Sequence, residues 1–274
     1  MKKILSMLSL VMAAVLMLTG CASSDKGVDA KNDLMNIKAA GKMVIGITES
    51  APMNYYDEEG NLVGFDTEYA KIVCERLGVE AEFKIINWNT KEKDLEKGEV
   101  DAVWNGLTVN KNRRKDMDFT KVYLTNKQCV VIDKSDVSVY TSAQKMKDAV
   151  VTAEAGSAGE VAVSYNRYLS KADYVPSGSQ SNALIALAAG NADGAVVDIT
   201  FAFSNVGKGD YKNLMIVEDI TLSDEECAVG LRKGSDLTAE INRVTDELIE
   251  DGTLLAIAAE YGLAERFAAA LSNR

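Results

Sequence analysis

Histidine is absent from all 274 residues. That excludes a serine–histidine–aspartate triad, a cysteine–histidine dyad and any metal site built on imidazole. Cysteine is scarce, with four residues and no C-x-x-C spacing. Cys21 ends an N-terminal apolar run, which leaves Cys74, Cys129 and Cys227, an odd number. No metal site is visible in the pattern and no cofactor is expected. Cys74 shares a helical stripe with Ala70, Val73 and Leu77, so core packing is its expected role. Low-complexity tracts and fixed-period repeats are missing from the domain region. Basic charge is in deficit, with 30 Lys and Arg against 41 Asp and Glu. Such a surface has no footprint to neutralise phosphates, so nucleic acid is not an expected partner.

Long apolar runs are also lacking, except at the start. Lys2 and Lys3 precede an apolar stretch over residues 4–18, too short for a comfortable membrane span and suited to a signal-peptide core. Residues 1–20 are therefore read as a signal peptide. The stretch ends in Leu18-Thr19-Gly20-Cys21, which resembles the lipobox of bacterial lipoproteins and implies a lipid on Cys21 and an anchor at the outer face of the cell membrane. Two or more acyl chains would hold stably where one is marginal. Residues 21–32 read as a flexible tether, too small and polar to order themselves. Without the leader the balance is 28 basic to 41 acidic residues, a net −13, which repels anionic lipid and favours a domain standing off the membrane.

The chain as a whole, 47% hydrophobic and 26% charged, suits one large or two medium soluble domains. A strand over residues 42–47, a helix opening near a capping Asp66 and stopped by Gly78, a strand over 80–86, a short helix over 90–97 and a strand over 100–104 follow in order. This alternation argues for an α/β, doubly wound sheet with ligands beyond the carboxyl ends of its strands. At that end stands Asn105-Gly106-Leu107-Thr108, where a glycine admits close backbone approach and an amide and hydroxyl offer hydrogen bonds. Arg113 follows five residues later, and a guanidinium there makes a two-pronged receptor for a carboxylate. A second α/β series runs through a strand over 149–153, the loop Glu154-Ala155-Gly156-Ser157-Ala158-Gly159, and a strand over 194–197 ending at Asp198. A capping role for Asp198 on the following helix is the competing reading.

Gly60-Asn61-Leu62-Val63-Gly64-Phe65-Asp66, Asn87-Trp88-Asn89, Leu107-Thr108 with Arg113, Asp118-Phe119-Thr120, Ala155-Gly156-Ser157 and Asn191-Ala192-Asp193-Gly194 occur in one order over about 220 residues. In that order the chain resembles the polar amino acid binding proteins of bacterial ABC importers, such as the lysine/arginine/ornithine-, histidine-, glutamine- and cystine-binding proteins, of the type II periplasmic binding fold. The resemblance implies a two-lobed clamshell, each lobe a mixed, mostly parallel sheet flanked by helices. Lobe I would comprise residues 33–126 and 227–274, and lobe II residues 127–226. Two hinge strands, near 127–132 and 218–227, would bring Cys129 and Cys227 to one region, where they could pair. The resemblance places Arg113 on the ligand carboxylate with Thr108 and Ser157, and Asp198 on the ammonium with Asn105 and Gly106. Trp88 would form a pocket wall. Ser50 stands where many members stack an aromatic residue on the ligand, so Tyr55 or Trp104 is a candidate replacement and Glu49 a candidate contact for a cationic or polar side chain. The implied protein is a monomer, without catalysis, that passes a free amino acid to a permease. A small lyase or dehydratase using Glu49, or a sensing subunit for another partner, is the alternative.

Overall fold

The computed structural model describes residues 30–273. The expected signal peptide and Cys21 lie outside them. Ala30–Asn32 already form a 3-10 turn, and Asp236 donates its N–H to Ala30 O, so the folded part begins before the expected end of the tether. No helix among the described residues is long and apolar enough to cross a membrane.

Thirteen strands occur among the described residues. In chain order these are β1 (Lys42–Ile47), β2 (Tyr55–Tyr56), β3 (Leu62–Val63), β4 (Glu80–Ile85), β5 (Ala102–Val103), β6 (Met117–Phe119), β7 (Leu124–Asp133), β8 (Val150–Glu154), β9 (Asp173–Ser177), β10 (Gly194–Asp198), β11 (Leu214–Ile216), β12 (Asp224–Cys227) and β13 (Gly230–Arg232). The helices are α1 (Asp33–Ala40), α2 (Phe65–Leu77), α3 (Lys91–Glu96), α4 (Arg113–Asp116), α5 (Ala158–Tyr165), α6 (Gln180–Ala188), α7 (Ile199–Asn205), α8 (Leu237–Glu250), α9 (Thr253–Glu260) and α10 (Ala264–Ser272).

One sheet has the order β4-β1-β5-β13-β6, parallel through β4-β1-β5 and antiparallel at β13. The other runs β11-β7-β10-β8-β9, parallel through β10-β8-β9 and antiparallel at β7. The mixed, two-lobed α/β architecture expected from the resemblance is therefore present. β7 belongs to the second sheet and runs beyond it to pair with β12. The first half of β7 pairs with β12, Leu124 opposite Cys227, and its second half pairs with β10 and β11 inside the second sheet. After β12 the chain returns to the first sheet through β13.

The first lobe is organised by α2. Its N-terminus follows Gly64 at φ +124°, where a Cβ would lie 2.2 Å from Met53 O, so no other residue fits. Gly78 ends it in the left-handed region, donating to Cys74 O and Glu75 O. Phe65, Tyr69, Ala70, Val73, Cys74 and Leu77 are buried on one face, as the stripe predicts. Trp104 is fully buried edge-on to Tyr69 at 4.7 Å, which removes it as a ligand wall. The α8 stripe Leu237, Ile241, Val244 and Leu248 buries as its 3.6-residue period requires.

Asp66 does not cap α2. Its carboxylate is fully buried and accepts from Gly106 N at 2.6 Å and Tyr123 Oη at 2.9 Å. The helix start thus holds the loop after β5, a contact 40 residues distant that no capping rule contains. Cys129 and Cys227 do not pair either. Cys227 sits opposite Leu124, five residues from Cys129 along β7, roughly 17 Å at strand rise. The Cys129 thiol turns to Val197 O and that of Cys227 to Gly106 O.

Under the first sheet, Arg232 donates to Asp33, Asp101, Leu95 O and Val100 O, and Ser235 Oγ donates to Asp33. Arg232 and Asp33 are buried, so removing one partner strands a charge. Arg232→Ala is expected to lower the unfolding free energy by about 3–5 kcal/mol in urea titrations. The thiols offer a second check. Burial pushes Cys129 up to about 12 and Cys227 well above its ordinary value, so alkylation without reductant should modify Cys74, Cys129 and Cys227 only after unfolding, and all three.

Candidate functional site

The carboxyl ends of β5, β8 and β10 face one another across the two lobes. Trp88, Asn105, Gly106, Thr108, Arg113, Ser157 and Asp198, seven of the nine residues expected in the site, line one cavity there. Its volume is about 10 Å³ for the centre of a water-sized sphere, so the facing side chains are closed on each other. Glu49 is exposed at the interlobe rim, beside Ile85, Ser179 and Asn182. Tyr55 packs edge-on against Tyr261 at 6.5 Å. Neither lines the cavity.

Arg113 opens α4, its N–H held by Asn110 Oδ1 at 2.9 Å. The side chain is only 6% exposed. Nη1 donates to Thr108 O at 2.6 Å, Nη2 to Gly156 O at 3.0 Å, and Nε lies 3.8 Å from Glu92 Oε1. The guanidinium thus carries one bond to each lobe. Lys91, from α3, also donates to Gly156 O at 3.0 Å, with Trp88 O as a further acceptor and the Trp88 ring 5.0 Å away. Burial and the neighbouring Arg113 bring Lys91 down to about 8. Gly156 has φ +72°, and a Cβ on it would meet Asn89 Oδ1 at 2.8 Å, so glycine is what lets its carbonyl reach both cations.

Asp198 precedes α7 without capping it. Gln180 Nε2 donates to its carboxylate at 2.7 Å, Asn126 Nδ2 at 3.0 Å, and Gln128 Nε2 also. Burial raises its pKa, which these amide donors oppose. Glu225, on β12, accepts from Thr108 Oγ1 at 3.1 Å, Gln128 Nε2 at 3.0 Å and Asn126 Nδ2 at 3.3 Å, and burial together with Asp198 raises it to about 7. Glu154, at the end of β8, is 3% exposed, and its Oε1 has no hydrogen-bond partner. Burial first and Asp198 second raise it to about 8.

Other expected residues are committed to scaffolding. Asn105 Nδ2 donates to Thr48 O and Asn54 Oδ1, and its Oδ1 accepts from Thr48 Oγ1. Gly106 gives its N–H to Asp66 and its carbonyl to Cys227. Ser157 caps α5, accepting from Glu160 N at 3.2 Å. Lys91, Gln128, Glu154, Gln180 and Glu225 were missed by sequence reasoning. For Glu154 a signal existed, since it ends a strand on the ligand side of an α/β sheet. The others carry none without the fold. No cluster of metal-ligating side chains occurs among the described residues.

Two α/β lobes joined by crossing strands, with charges of both signs facing a shared cleft, define a two-lobed solute receptor of the type II periplasmic binding fold. The pattern of the bacterial extracellular solute-binding proteins, family 3, matches residues 43–264, and the chain belongs to that family. It is similar to the L-cystine-binding protein TcyJ of Escherichia coli (strain K12), 27% identical over 235 residues that span 85% of this chain and 87% of TcyJ. Among solved structures it is similar to an ancestral arginine-binding protein bound to arginine, with 28% identity, a TM-score of 0.75, and 81% of this chain and 98% of the other covered. A substrate-binding protein of an ABC uptake transporter from Streptococcus pneumoniae with bound histidine is 28% identical, with a TM-score of 0.76 over 84% of this chain and 96% of its own.

The raised carboxyls make stability depend on pH. Unfolded, Asp66, Glu225 and Glu154 ionise near pH 4; folded, they hold protons to about 7, 7 and 8. The native state thus binds more protons between those limits, and stability falls as pH rises through them. The melting temperature is expected to drop from pH 5 to pH 8. Glu154→Gln should match the unsubstituted protein at pH 5 and melt higher at pH 8, as scanning calorimetry would show.

Proposed function

We propose that the protein is an extracytoplasmic solute-binding lipoprotein that captures an α-amino acid between its lobes and delivers it to an ABC importer. One observation carries this reading. Arg113 from the first lobe and Asp198 from the second face the same cavity, one suited to a carboxylate and the other to an ammonium. The names of similar proteins, which bind cystine, arginine and histidine, support it.

Closure follows from competition for Arg113. Nη2 is bonded to Gly156 O across the cleft, so parting the lobes frees it while Nη1 stays on Thr108 O. A ligand carboxylate takes the freed donor, and the ammonium meets Asp198 on the other lobe. Because the two ends of one molecule are held by different lobes, the ligand binds the closed form better than the open one, as any shift of that equilibrium requires. No bond is made or broken. A lipid on Cys21 would keep the monomeric receptor at the outer membrane face within reach of the permease, and no cofactor takes part.

Arg113→Ala and Asp198→Ala should each weaken amino acid binding by about 2–5 kcal/mol in titration calorimetry, the range for truncating one member of a buried charge pair. Wild-type affinity in either variant would remove that residue from the site. A thermal-shift screen of amino acids tests the reading as a whole, since a ligand at a hundred times its Kd adds about 2.7 kcal/mol of stability. Silence across the panel would end it.

A further inference from the structure

Once an α-amino acid head is placed on Arg113 and Asp198, one carboxylate in the cavity remains without a counterpart. Glu154 ends β8, the strand beside β10, and lines the same cavity as Asp198, whose charge helps to raise its pKa. Each other ionisable side chain facing it is engaged. Asp198 accepts from Gln180, Asn126 and Gln128. Arg113 donates to Thr108 O and Gly156 O. Lys91 donates to Trp88 O and Gly156 O and lies 3.2 Å from Glu92 Oε1, so this nearest ammonium is turned toward other acceptors. Glu225, the other acid at the hinge, accepts from Thr108, Gln128 and Asn126. Glu154 Oε1 alone is buried in the cavity wall with no donor. A buried acceptor without a partner destabilises a fold, and a ligand that supplies the donor recovers that loss on binding.

We propose that Glu154 determines specificity: its carboxylate receives the protonated nitrogen at the far end of the ligand side chain, which makes the substrate a basic amino acid such as lysine, ornithine or arginine. This rests on the α-amino acid reading above. Charge balance supports it, since the ligand head contributes one charge of each sign to Asp198 and Arg113, and a cationic side chain pairs with Glu154 once that group ionises. The position of Glu49 on the rim removes the acid that the sequence offered for this role. Burial holds Glu154 protonated to about 8, so a cationic ligand expels that proton as it binds, and affinity for it rises with pH below that value.

Titration calorimetry on the full chain with arginine, citrulline, lysine, norleucine, glutamine and cystine separates the possibilities. Arginine is expected to bind about 100-fold more tightly than citrulline, which keeps the shape and loses the charge. Glu154→Gln should remove most of that preference, weakening arginine by about 100-fold and citrulline by less than about 3-fold, and should remove the extra rise in arginine affinity over that of citrulline between pH 6 and 8. Glu154→Asp, which keeps the charge, should retain part of the preference and shows that loss in the Gln variant is not misfolding. Equal weakening of all ligands by Glu154→Gln would overturn the proposal, because the carboxylate would then serve the shared ammonium. Tighter binding of glutamine, cystine or citrulline than of arginine by the unsubstituted protein would overturn it while leaving the α-amino acid reading intact. Binding of none of the six would overturn both.

Discussion

The cleft depends on the crossing of β7 and β12. Those two strands join the lobes through one antiparallel ladder, and the side chains that alternate along it face the site. Asn126 and Gln128, two residues apart on β7, point to the same side and donate to both Asp198 of the second lobe and Glu225 of β12. The ladder that joins the lobes therefore also holds two carboxylates at the floor of the cavity. A one-residue slip of β7 against β12 would turn both amides away and leave those acids unpaired.

Burial of acids in excess of bases is the second constraint. Arg113 and Lys91 face Asp198, Glu154, Glu225 and Glu92, and each group is partly or wholly withdrawn from water. The protein holds this set together with neutral amides and backbone carbonyls. Gln128, Gln180 and Asn126 stabilise the acids without adding charge, and Gly156 O accepts from both cations. The two cations thus reach across the cleft to a backbone oxygen, a weaker acceptor than a carboxylate. In the proposed mechanism a ligand carboxylate outcompetes it, as a receptor that opens and closes requires. A buried salt bridge in its place would lock the lobes together.

The remaining frame is ordinary packing with one distant tie. Asp66 links α2 to the loop after β5 and to Tyr123, so the backbone at Asn105 and Gly106 is held from behind rather than by the cleft. Arg232 ties the returning β13 to α1 and to the start of β5. Both are long-range contacts between charged or polar side chains. Each converts a sequence of short elements into a rigid wall.

The order of strands and helices, the α2 and α8 stripes and the placement of Arg113, Thr108, Ser157 and Asp198 at strand ends were legible in the sequence, because each follows from a local period or from a loop that a strand delivers to one edge of its sheet. Local rules failed where partners are distant. Asp66 had the position of a cap and became a buried support, and Trp104 had the look of a ligand wall and became core. Cys129 and Cys227 reached neighbouring strands but not opposite positions, since register is a property of the pair. Glu154 is the sharpest instance. Its own residue type and strand-end position were readable, but only the tertiary structure showed an oxygen without a donor in a cavity shared with Arg113 and Asp198, because lacking a partner is a statement about every other residue in the fold.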